Sequence, residues 1–117
     1  MAESFKILSQ AQLFVLPVSI YKVPSRPITQ GGKTIQAIIK TMQLCNQSAS
    51  TSIVKEINVV KKGESASDKN KIAFWYTLGA LESEVFPCGF TLEEGDSVVA
   101  SNLSGVISIS LFGVEMY

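Results

Sequence analysis

Alternation of period two dominates the chain. From Thr34 to Asn46 one set of alternate positions reads Ile35, Ala37, Ile39, Thr41, Gln43, Cys45, and the other Thr34, Gln36, Ile38, Lys40, Met42, Leu44. The first set is apolar early and the second late, which predicts a long strand that bends or passes between environments partway along. Ser52–Lys61 predicts a further strand with Ile53, Ile57 and Val59 inward and Ser52, Glu56 and Asn58 outward; Lys55 interrupts the alternation. Ile72–Leu78 is rich in β-formers and ends at Gly79, with Ile72, Phe74, Tyr76 and Leu78 on one face and Trp75 on the other. A short strand includes Glu84–Phe86 and is expected to stop at Pro87. Ser97–Ala100 is another, and Val106–Glu115 is the clearest, with Ile107, Ile109 and Leu111 alternating with Ser108 and Ser110.

Upstream, Phe5–Leu8 and Val18–Val23 read as strands, the second closed by Pro24-Ser25-Arg26-Pro27 because proline supplies no ladder donor. Gln30–Lys33, Leu92–Asp96 and Asn102–Gly105 read as loops or turns, with Gly95 free to take positive φ. Lys61–Lys71 holds no hydrophobic residue larger than Ala, so it is expected to bury little and to be mobile. No helical period of useful length appears. About eight short strands at regular spacing predict an all-β fold, an antiparallel β-sandwich or jelly roll. The length of 117 residues fits one domain, residues 1–17 being the part that could extend as an arm.

Composition removes several chemistries. Ten Lys and Arg balance ten Asp and Glu, and there is no His. Zero net charge argues against binding duplex nucleic acid, whose affinity comes largely from neutralised phosphates. The lack of His removes the commonest general base and the usual metal ligand. The balance conceals a split: residues 1–71 carry all ten bases and four acids, a net of +6, while residues 72–117 carry six acids and no base, a net of −6. Such halves would pair head to tail between copies if the fold turned them into two poles. Cys45 and Cys88 cannot make a four-ligand zinc site; they read as small hydrophobes, with a disulfide open if their strands are neighbours. The apolar stretch Leu13–Ile20 is short and broken by Pro17, so no signal peptide is expected. The uncharged run Ser97–Val114 is too polar for a membrane span. Asn46-Gln47-Ser48 and Asn102-Leu103-Ser104 match glycosylation sequons.

Gly32-Lys33-Thr34 imitates the end of a phosphate loop, but the glycine required five positions earlier is Pro27, and a strand follows instead of a helix. Glu82, Glu84, Glu93, Glu94 and Asp96 lack calcium-loop spacing and read as solvated turns. Lys61, Lys62, Lys69 and Lys71 lie in sequence beside Phe74, Trp75 and Tyr76. Bases with aromatics can hold single-stranded nucleic acid, but core or protein-interface roles explain the same residues more simply. The serines have no His partner. No catalytic residue, metal site or cofactor is expected, and the chain reads as a non-enzyme.

Ile20-Tyr21-Lys22-Val23-Pro24, an Ile-rich strand leading to Cys45-Asn46-Gln47-Ser48-Ala49, the aromatic Phe74-Trp75-Tyr76, then Phe90–Asp96 and Phe112-Gly113-Val114-Glu115 follow one another in order. Over residues 18–117 this resembles small β-sandwich structural proteins of tailed-bacteriophage virions. A longer Arg-Pro and Gly-Gly segment departs from the pattern between Pro24 and Thr34. The resemblance implies a virion protein made in the bacterial host cytoplasm, with the major capsid protein or tail proteins as partners and self-assembly. The role would be that of a capsid decoration (cement) protein, coating the capsid as trimers, or of a tail or baseplate ring component. A carbohydrate-binding sandwich for host attachment, with Trp75 and Tyr76 as its aromatic platform, is the reading from another class. No membrane and no duplex nucleic acid are expected as partners. The expected contact residues are Phe5, Lys61, Lys62, Lys69, Lys71, Trp75, Met116 and Tyr117.

Overall fold

A computed structural model describes residues 3–24 and 35–116, with the backbone alone at 3–6, 73 and 74. Eight strands are present among them: β1 (Glu3–Gln12), β2 (Val18–Lys22), β3 (Gln36–Asn46), β4 (Ser52–Val60), β5 (Lys71–Leu78), β6 (Ser83–Leu92), β7 (Ser97–Ser104) and β8 (Ile107–Met116). One sheet has the order β1-β8-β3-β6 and the other β2-β7-β4-β5, all pairs antiparallel. The chain therefore folds back on its midpoint, β4 pairing with β5, β3 with β6, β2 with β7 and β1 with β8. The doubled ribbon rolls into two facing sheets, the jelly-roll form of the expected β-sandwich. The fold-back also lays each strand of the basic half against one of the acidic half.

The core lies between the sheets. Ile39, Leu44, Leu92, Ile107, Ile109 and Leu111 face Val23, Val54, Ile57, Leu78, Val98 and Ala100, all buried. Burying a side chain of this kind contributes about 1.5–3 kcal/mol relative to leaving it in water.

The alternation switch in β3 has a structural cause. Ile35, Ala37 and Ile39 are buried, then Met42, Leu44 and Asn46. The register against both neighbours shifts between Ile39 and Thr41, so Lys40 is an extra residue and the inward face changes parity there. The irregularity continues across the sheet, with Leu8 extra in β1 and Cys88–Gly89 passed over in β6. β8 crosses this crease at Gly113, where a Cβ would sit 2.0 Å from the Ile38 carbonyl oxygen. No other residue fits that close approach of two backbones. In the second sheet Ile20 is extra in β2 and Ile72 in β5.

Several boundaries differ from expectation. Phe5–Leu8 is part of a longer strand, and residues 3–12 of the expected arm pair along β8 of this chain. β6 runs through Pro87 instead of stopping there, because β6 is an edge strand and the missing donor is not needed. β7 continues to Ser104, so the turn is confined to Gly105 and Val106. The face assignment of β4 inverts: Ser52, Val54, Asn58 and Val60 are buried with Ile57, while Ile53 and Val59 are half-buried. Register shifts on both sides of Val54 and at Ile57–Asn58 rotate the strand. Ser97–Val114 comprises β7 and most of β8, which lie in opposite sheets and are joined by the turn at Gly105 and Val106. Pro24-Ser25-Arg26-Pro27 beyond Pro24, the Gln30–Lys33 loop, Gly32-Lys33-Thr34 and Tyr117 lie outside the described residues.

Candidate functional site

The strand registers sort the loops into two ends. Residues 13–17, 47–51, 79–82 and 105–106 meet at one end, because Gln12 pairs with Ser108, Cys45 with both Ser83 and Ser108, and Ser52 with Leu78. Residues 61–70 and 93–96 lie at the other, where Val60 pairs with Ser97 and Asn58 with Lys71.

The first end is apolar. Its four loops carry a single charged residue, Glu82. Phe14, Val15 and Leu16 are 57%, 64% and 77% exposed, and Leu81 69%. Leu103 and Val106 are exposed beside them. These side chains do not hang on slack chain. Leu13 N–H donates to Ile107 O (2.8 Å), Asn102 N–H to Phe14 O (2.8 Å), Gln47 N–H to Val106 O (2.8 Å) and Leu81 N–H to Ser48 O (3.0 Å), so each loop is tied to another element. Two buried asparagines complete the lacing. Asn46 Nδ2 donates to Ser50 O (2.9 Å) and Gly79 O (2.8 Å), and its Oδ1 accepts from Ser48 N–H (3.0 Å) and Ser52 Oγ (2.8 Å). Asn102 Nδ2 donates to Gly105 O (2.7 Å). These are the two sequon asparagines. With both buried, the sequons here are structural ties and not surface acceptors.

The second end is charged, with both signs. Lys69 meets Glu64 (3.2 Å), and Lys71 meets Glu56 (3.3 Å) and Asp68 (3.0 Å). The Asp68 bond raises the Lys71 pKa most. Lys61, Lys69 and Lys71 line one shallow cavity of about 340 Å³ with Glu64, Asn70 and Ile72. Lys62 lies apart from it, across Gly95, and its N–H donates to Asp96 Oδ1 (2.9 Å). The Lys61–Lys71 loop takes a defined form. A 3-10 turn spans Asp68–Asn70, and Asn58 Nδ2, buried in β4, donates to Ser67 O (3.0 Å) and Asn70 Oδ1 (2.8 Å).

The remaining expected residues are dispersed. Trp75 is 48% exposed on the edge strand β5 at φ +54, a left-handed conformation that costs a bulky residue roughly 1–3 kcal/mol. Tyr76 is half-buried, packs edge-to-face on Phe86 at 5.2 Å, and donates to the Glu84 carboxylate, which pushes its pKa up to about 12. It is therefore committed to the sandwich side and does not form a flat platform with Trp75. Beside it, Met42, Leu44, Ile57, Phe86 and Phe90 line an apolar cavity of about 250 Å³. Phe5 pairs with Val114 through its backbone, and Met116 is half-buried opposite Glu3 and Gln36. Cys45 and Cys88 are free although β3 and β6 are neighbours. Cys45 pairs with Ser83, five residues before Cys88, so the two lie roughly 17 Å apart along the ladder, too far to bridge; burial raises the Cys88 pKa.

The acids serve as local ties. Glu82 Oε1 accepts from Gly79 N–H, Asp96 closes its turn on Glu93 N–H (3.0 Å), and buried Glu115 accepts from Tyr21 OH (2.5 Å). Burial, then that bond, holds the Tyr21 pKa well above its ordinary value. Among the described residues no three Cys, Asp or Glu side chains cluster as metal ligands. The apolar end was missed in the sequence. Its signal was present: Leu13-Phe14-Val15-Leu16 is an unalternating apolar run against Pro17, where a loop must form.

No protein-family model matches the sequence, and no curated protein does. Among solved structures, a chain in the structure of infectious bursal disease virus Gx strain aligns with 97% of this chain at 12% identity and TM-score 0.46. A chain of the Gt strain aligns with 97% at 8% identity and TM-score 0.42. This chain spans 30% and 32% of their lengths.

Proposed function

We propose that this protein is a non-enzymatic structural component of a virion, a capsid decoration or cement protein that stabilises the particle through protein–protein contacts as a homo-oligomer. The observation carrying this reading is the apolar end: large hydrophobic side chains are held out into solvent on loops laced by hydrogen bonds. An ordered exposed apolar surface of this kind marks an interaction site. The jelly roll supports it by fold analogy, since such sandwiches recur in viral capsid and lectin domains. The order of short motifs over residues 18–117 adds the resemblance to tailed-phage structural proteins. Assembly then proceeds by burying side chains that already have fixed positions, so little ordering entropy opposes it.

Electron microscopy of purified particles, with this chain labelled, tests the reading. Many copies over the capsid surface are expected. A few copies confined to the tail would move the role to a ring component, and absence from particles would overturn the virion reading.

A further inference from the structure

We infer that the apolar end is a self-association surface, and that its occupant is the same end of a second copy of this chain. The surface is formed by Phe14, Val15, Leu16, Leu103 and Val106, with Leu81 across the serine-rich loop 47–51. Phe14, Val15, Leu16 and Leu81, each exposed by more than half, project from the molecule instead of lining a cavity, so the surface suits a broad partner and not a small ligand. A two-fold contact sets a patch against its own copy, and an uncharged patch can be buried this way without stripping water from any charge. This end carries only Glu82 in its loops, and that carboxylate already accepts from Gly79 N–H. Burying the other end, with Lys61, Lys62, Glu64, Asp68, Glu93, Glu94 and Asp96, would cost the desolvation of those charges, so it faces outward in the pair.

Area points the same way. The exposed fractions amount to an apolar patch on the order of 500 Å², at the upper end of what monomers display. Two such patches bury about 1,000 Å² in total, the lower bound for a specific interface. A contact at that lower bound is expected to be concentration-dependent. The loops need no rearrangement, since each is anchored by backbone bonds in the single chain.

The inference names a contact of the virion protein proposed above and rests on that reading only for the setting. Solution association tests the one and particle location the other, so either can fail alone. Sedimentation equilibrium between about 1 and 200 µM should show a monomer–dimer equilibrium that persists in high salt, because screening weakens charge pairs and not apolar burial. Leu16→Asp should raise the dissociation constant at least tenfold while leaving the circular dichroism and melting temperature unchanged. Phe14→Ser provides the same test without adding charge. Monomer at every concentration, a dimer indifferent to both substitutions, or a dimer dissolved by salt overturns the inference. So does co-sedimentation of the monomer with neutral phosphatidylcholine vesicles in place of dimerisation, which would assign the surface to lipid.

Discussion

Both ends of the sandwich must close the same two sheets, and they do so with different chemistry. At the apolar end the closing polar groups are buried and the hydrophobic side chains are outside: Asn46, Ser52 and Asn102 lie within the protein while Phe14 and Leu16 face water. At the charged end most tying groups are at the surface, Glu64 exposed and Asp96 half-buried, and Asn58 is the buried exception. A hydrogen bond between buried groups has no water to replace it, whereas an exposed one exchanges with solvent at little cost. The apolar end should therefore be the rigid one, despite its exposed hydrophobics, and the charged end the tolerant one.

Two glycines with almost the same backbone angle give the largest contrast. Gly105 at the apolar end has φ +82 and Gly63 at the charged end φ +81. Both replacements by Ala incur the left-handed penalty of about 1 kcal/mol. A Cβ at Gly105 would sit 1.7 Å from Ser52 Oγ, while one at Gly63 meets nothing within 4 Å. Urea unfolding should place Gly105→Ala about 3 kcal/mol or more below the parent and Gly63→Ala near 1 kcal/mol; equal losses would erase the distinction between the ends. Asn46→Ala removes the buried hub and strands several carbonyl and hydroxyl groups, with an expected loss of about 2–4 kcal/mol by the same measurement. Its counterpart Asp96→Ala gives up two exposed backbone caps and should lose about 1 kcal/mol. Lys61→Ala with Lys62→Ala should stay within about 0.5 kcal/mol of the parent; a larger drop would mean that the charged end carries structural load.

Alkaline titration sharpens the picture of the sandwich between the two ends. Tyr76 and Tyr21 have folded-state pKa values above the ordinary tyrosine value of 10.0, that of Tyr76 about 12. The folded state holds its phenolic protons more tightly than the unfolded state, so this contribution is fully present below pH 10 and is lost as pH rises toward 12 and beyond. Glu84→Gln should shift that decline to lower pH by removing the carboxylate that raises Tyr76. An unchanged alkaline limb would show that the Tyr76 pair is not coupled to folding.

The fold was legible where alternation was clean. Ile107, Ile109 and Leu111 identified β8, and the change of parity in the Ile35–Leu44 segment anticipated the bulge at Lys40. Legibility failed where a polar residue took an inward position. Ser52 and Asn58 read as outward because burial of a polar side chain depends on partners outside its own strand, which alternation does not register: Asn46 for the first, Ser67 and Asn70 for the second. The charge split was visible, but its spatial meaning was not. Folding the chain on its midpoint mixes the basic and acidic halves along every strand pair, and the polarity that results separates charged from uncharged instead of plus from minus. Of the expected contact residues, Lys61, Lys69 and Lys71 do converge, yet Lys69 and Lys71 are engaged with acids from their own half.

The bulges bear on how many copies can be crowded together without fusing. A sheet edge offers unpaired donors and acceptors to any neighbouring strand, and identical chains at high density offer one another matching edges. In this protein each of the four edge strands departs from a straight ladder: β1 at Leu8, β2 at Ile20, β5 at Ile72 and again at Trp75, and β6 at Cys88–Gly89 next to Pro87. A flat foreign strand can match such an edge for only a few residues before its groups fall out of step. The same irregularities that bend the sheets therefore keep crowded neighbours from zipping into a continuous fibril, and leave the loops as the place where copies can meet.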